Sequence, residues 1–129
     1  MAGARCIIHS DKEECIGSKA IHLGKVTNNT TEILSLIEGL NMCKELGITK
    51  LEIEGDSAII INAIRKKETP NWKLNGMLEK ALEILDNFED YTVNHIYKEA
   101  NRAADELANL GVDGINKKII NITEYKDKR

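Results

Sequence analysis

Three carboxylates stand at places where a chain can present an acid rather than bury it: Glu32, Asp56 and Asp105. Glu32 falls in the first turn of an amphipathic segment, Asp56 at the junction between an alternating stretch and a helical one, and Asp105 in the first turn or two of a last helical segment. Helix first turns favour Asp and Glu because the macrodipole is positive there, so each acid alone has an ordinary explanation. Asn29 lies three residues before Glu32, the spacing of a capping box, and Asp56 is placed to cap the helix that follows it. Together the three suggest a second cause. Magnesium takes hard oxygen ligands and keeps several waters, and a pair of such ions can stabilise the attacking and leaving oxygens of phosphodiester cleavage. Carboxylates converging on one point would meet that need.

The elements that must position these acids follow from periodicity. Residues Ala4 to His9 and Ser18 to Leu23 are apolar runs around the polar loop SDKEECIG and predict a hairpin of two strands. In TNNTTEILSLIEGLNMCKELGI, Ile33, Ile37, Leu40, Cys43 and Leu46 form one helical stripe, with Gly47 as its stop. The stretch KLEIEGDSAIIINAI reads as strand, turn and helix: Leu51 and Ile53 alternate with Glu52 and Glu54, Gly55 supplies the joint, and the helix fades in RKKE. After the loop PNWKLN, the residues Leu74, Leu78, Ala81, Leu82, Leu85 and Phe88 predict another helix. Tyr91 to Tyr97 alternates as a strand, and Asn101 can cap a last helix with Ala104, Leu107, Ala108 and Leu110 inward and Gly111 at its end. The tail IINITEY is either a strand or a disordered end. Helices alternating with strands imply an α/β fold with a mixed sheet and an antiparallel hairpin at one edge.

Composition bounds the rest. The chain has 129 residues, 42% hydrophobic and 30% charged, with one Pro and nine Gly, which is the composition of one globular domain. No apolar run approaches a membrane span, and MAGARC carries no visible targeting signal. Cys6, Cys15 and Cys43 lack metal-ligand or CxxC spacing and fit free thiols in a reducing compartment, cytosol or nucleus. A formal charge of -3 argues against tight nonspecific binding of nucleic acid, although Arg65, Lys66, Lys67 and Lys73 gather around Trp72 and could make a local basic handle.

Three segments, TNNTTEILSLIEGLNMCKELGI, LEIEGDSAIIINAI and VNHIYKEANRAADELANLGV, together resemble the type 1 ribonuclease H family in its plant-like, reverse-transcriptase-associated form, over roughly residues 2 to 112. The resemblance implies a ribonuclease H-like mixed sheet with helices on both faces. It also implies cleavage of the RNA strand of RNA-DNA hybrids with magnesium, or manganese, as cofactor. Glu32, Asp56 and Asp105 match the family's catalytic, metal-holding acids, and His95 falls where some members carry a His that assists proton handling or product release. Asn29 and Asn101 match positions that contact nucleic acid or shape the site, and Trp72 with Lys73 would add to the nucleic-acid surface.

The family's first central strand carries DGA or DGS, and its Asp bridges the metals; this chain begins at AGARCII, after that strand. One expectation is that residues 1–114 form the domain and the tail, 115–129, fills the vacant central place as in a circular permutation, with Thr123 where the Asp would be and Glu124 and Asp127 nearby. The alternatives are a strand supplied by a partner chain, or a fragment. Two functions therefore compete: a metal-dependent ribonuclease, and a catalytically incomplete module on the same fold that binds nucleic acid or protein.

Overall fold

The computed structural model describes residues 2–23, 28–96 and 117–126. Five strands form one mixed sheet. The hairpin is β1 (Ala2–His9) and β2 (Cys15–Leu23), antiparallel and joined by a short turn. Helix α1 (Asn28–Glu45) follows, then β3 (Lys50–Gly55), α2 (Ala58–Lys66), a 3-10 turn at Trp72–Leu74, α3 (Asn75–Leu85), β4 (Asp90–His95) and β5 (Lys117–Glu124). The strand order is β2-β1-β5-β3-β4. The predicted last helix lies outside the described residues.

The apolar periodicities become the core. Ile33, Leu36, Ile37, Leu40 and Cys43 of α1 pack with Cys6 and Ile8 of β1, Leu51 and Ile53 of β3, and Ile120 and Ile122 of β5. Helix α1 sits close on the sheet because residue 39 is glycine: a Cβ there would lie 2.3 Å from the Cys6 Sγ. The helix ends where Gly47 takes φ +77, with its N–H donating to the Lys44 carbonyl and that of Ile48 to the Cys43 carbonyl, a Schellman closure. Leu46 falls in that closing turn and is 49% exposed, so it leaves the stripe that its spacing assigns it to. Leu74, Leu78, Ala81, Leu85 and Phe88 are buried as their spacing predicts, while Leu82 is only partly covered.

The tail is a central strand. β5 pairs with β1 on one side and with β3 on the other, and Ile119, Ile120, Asn121 and Ile122 are each at most 1% exposed. Its direction differs from the permutation expected above. A strand that preceded β1 through a tight connection would run antiparallel to it, because two-residue and similar short links join antiparallel neighbours. β5 instead runs parallel to β1 and antiparallel to β3. It therefore fills the central place with reversed polarity. The reversal carries Thr123 to the far end of the strand, opposite His9 and Glu52, and puts Lys118 at the end where β3 finishes.

Candidate metal and nucleic-acid site

The site lies at the carboxyl ends of β3 and β4, where both strands stop and α2 begins. β3 ends at Gly55, whose backbone pairs with Ile120 and with His95. Asp56 leaves the sheet next. It is not the cap of α2: Ser57 occupies the N-cap position in extended geometry and makes no side-chain cap bond. The N-cap position expected for Asp56 is thus taken by its neighbour, and Asp56 stands half-buried one residue before it.

Glu32 comes from the first turns of α1 and is 0% exposed. Neither of its carboxylate oxygens has a hydrogen-bond partner. The capping-box role that its spacing suggested is not the one it takes, since Asn29 lies within the helix rather than at its cap. Burial pushes the Glu32 carboxyl from its ordinary 4.5 up to about 8, and the Asp56 charge adds to the rise; Ser57 and the Lys118 ammonium oppose it. Ser57, itself buried, is near enough to favour the ionised carboxylate without meeting hydrogen-bond geometry. Without a ligand Glu32 holds its proton at neutral pH. A buried carboxyl of this kind costs free energy that a cation would recover, because the cation would satisfy both oxygens and let the proton leave.

The other expected residues distribute around this pair. His95 ends β4 on the exposed side, with Nε2 3.3 Å from the Asp56 main-chain carbonyl, so it borders the acids. Asn29 is half-buried and, with Asn62, Lys66, Thr69, Pro70 and Asn71, lines a cavity of about 380 Å³ between the start of α1, the length of α2 and the loop that follows it. Trp72 is 74% exposed, and the Lys73 Nζ stands 5.7 Å from its ring centroid, a cation–π pair in solvent. Arg65, Lys66 and Lys67 are exposed at the end of α2. Asn101 and Asp105 lie outside the described residues. Among the described residues no group of three or more His, Cys, Asp or Glu is placed to hold a metal ion.

Two participants escaped the sequence reading. Ser57 follows Asp56 directly and was legible as a cap but not as a neighbour of Glu32. Lys118 looked like part of a charged tail, and only the strand's direction brings it to the acids.

Residues 1–111 match the family profile described as Reverse transcriptase-like. A ribonuclease H of Clostridium botulinum is 31% identical over 106 residues, covering 70% of this chain and 70% of that protein. The chain belongs to the reverse transcriptase-like, ribonuclease H family. A ribonuclease HI of Halobacterium salinarum is 31% identical over 96 residues, covering 70% of this chain; the chain spans 46% of that relative's length. The crystal structure of RNase H1 from Halobacterium salinarum shares the fold, with a TM-score of 0.68 at 21% identity, covering 83% of this chain and 94% of that one. The mixed sheet and its hairpin edge are thus those of the ribonuclease H fold. No described helix is long and apolar enough to cross a membrane.

Proposed function

We propose that this ribonuclease H-family chain binds RNA-DNA hybrids and cleaves the RNA strand with a divalent cation, magnesium or manganese, held by Glu32 and Asp56 and joined by Asp105. The observation that carries the reading is Glu32: a fully buried carboxyl with two unsatisfied oxygens, beside a second acid at a strand end. Two carboxylates suit magnesium, which keeps several waters and commonly takes one or two protein acids plus phosphate oxygens. The bound ion would supply an activated water and stabilise the leaving oxygen. The chain's own part is to keep the acids fixed by α1 and β3, to place His95 beside them for proton handling, and to hold the hybrid along Asn29, Asn101, Trp72 and Lys73. Selectivity for the hybrid would rest on contacts to 2'-hydroxyl groups across the minor groove.

One observation favours a second reading, a binding module without cleavage: the Lys118 cation stands near the acids, and no third acid joins them among the described residues. A labelled RNA-DNA hybrid incubated with the chain and magnesium, beside Asp56→Asn, separates the two. The proposal expects cleavage that falls by a factor of about 100 or more in Asp56→Asn, the scale of losing one charge-stabilising group. Salt-dependent binding with equal and negligible cutting by both proteins would replace it with the binding module.

A further inference from the structure

Helix α2 buries Ile60, Ile61, Ala63 and Ile64 yet leaves one large apolar residue, Ile59, 55% exposed. Ile59 falls with Asn62, Ala63 and Lys66 on one helical stripe, and that stripe is a wall of the cavity of about 380 Å³ described above. The facing wall is the loop after α2, and its shape is fixed. The Thr69 Oγ1 accepts from the Asn71 N–H at 3.2 Å, the Asn71 Oδ1 accepts from the Lys73 N–H at 3.1 Å, and the Pro70 ring sets its own φ. Asn29 completes the lining and ties the cavity to the acids. It precedes Glu32 by about 5 Å along α1, and Ile59 stands one helical turn after Asp56 and Ser57 leave the sheet.

We propose that this cavity receives an unpaired base of the RNA strand, from a nucleotide beside the one that is cut. The inference rests on the reading of the chain as a protein that binds and cuts RNA-DNA hybrids. Three features of the lining select a base over the other parts of a nucleic acid. Ile59, Ala63 and Pro70 offer apolar surface, which suits a flat ring rather than a phosphate or a sugar. The amides of Asn29 and Asn62 carry the donors and acceptors that pair with a base edge, and Asn71, its oxygen engaged by the Lys73 N–H, offers its NH2. Glu68 would repel a phosphate but accepts from an exocyclic amine. The base must be unpaired, because one inside the duplex is stacked on both faces and cannot enter a pocket. The exposed Lys66 can then take the phosphate of the same nucleotide, with Arg65 and Lys67 beside it in sequence.

The test is a fluorescence titration of the full chain in EDTA, so that nothing is cut, against two end-labelled hybrids. One carries a single bulged 2-aminopurine nucleotide in its RNA strand; the other has the same sequence fully paired. The bulged hybrid binds about tenfold more tightly, the scale of one base stacked on a side chain, and its 2-aminopurine emission rises as the base leaves its neighbours. Ile59→Ser and Asn62→Ala, both at exposed positions and both checked by thermal melts, bring the ratio of the two affinities to about one. Equal affinity for the two hybrids would overturn the proposal, as would unchanged emission at saturation or a preference that survives both variants. The same preference for a bulge in the DNA strand would mark a response to a flexible duplex and overturn it too. In each of those cases binding of the paired hybrid leaves the hybrid reading standing; binding of neither hybrid at low salt removes that reading and the proposal with it.

Discussion

The two ends of β5 treat buried polar groups in opposite ways. At its carboxyl end Asn121 is buried and its Oδ1 accepts from His9 Nε2 at 2.8 Å, the Tyr125 hydroxyl donates to Asp90, and the Tyr125 N–H donates to the Lys50 carbonyl at 3.1 Å. With Nε2 donating, His9 Nδ1 is left as a bare acceptor, buried without a partner. At the amino end the strand reaches the neighbourhood of Glu32, a carboxyl with two oxygens unmatched that burial pushes up to about 8 and the Lys118 charge only partly brings down. One end uses its polar groups mainly to pin a strand in register. The other keeps an unmet demand for positive charge, which is how a binding site differs from a structural network.

The strand between them holds both ends in place, so the largest effect comes from loosening it. Ile122→Ala removes a fully buried side chain under α1 and is expected to cost about 2–5 kcal/mol in chemical denaturation. If β5 were a peripheral tail instead, the cost would fall within about 0.5 kcal/mol.

Of comparable size is the pH dependence of the amino end. The folded Glu32 keeps a proton up to about 8 that the unfolded chain releases near 4.5. Its favourable contribution is complete below 4.5 and is lost as pH rises through 8, where the buried carboxylate carries charge. Glu32→Gln has no such titration. Its stability relative to wild type therefore climbs between about pH 4.5 and 8 and levels off above, by a difference on the order of 5 kcal/mol. Parallel stability profiles for the two proteins would contradict the raised carboxyl.

At the other end, Asn121→Ala strands a buried His9 donor and is expected to cost about 1–3 kcal/mol, with Mn2+ affinity unchanged. A change in Mn2+ affinity would show that the two ends are coupled. Smallest is Trp72→Ala: the ring is exposed, so melting is unaffected within about 0.5 kcal/mol, while hybrid binding weakens by about 1 kcal/mol or somewhat more if a base or sugar stacks there.

Much of the sheet was legible in the sequence because alternation and helical spacing are local. Leu51 and Ile53 declare a buried strand, and Leu74 to Phe88 declare a helix, whatever surrounds them. Leu46 shows the limit: its spacing fits the stripe, but the Gly47 turn carries it into solvent. Asp56 and Glu32 were legible as acids at element ends, yet each had a capping explanation that only coordinates could remove. The direction of β5 was not legible at all. Its apolar residues are buried on both faces, so the pattern reads the same forwards and backwards, and nothing local distinguishes a strand presenting Thr123 to the acids from one presenting Lys118.

The central claim is that Glu32 is held protonated and unsatisfied for a cation. It is tested most directly by following the Glu32 carboxyl carbon through a pH titration by nuclear magnetic resonance, with and without saturating magnesium. The account predicts a midpoint near 8 in the metal-free chain, falling by about one unit or more when magnesium is present. A midpoint near 4.5, or one near 8 that magnesium does not move, would contradict it.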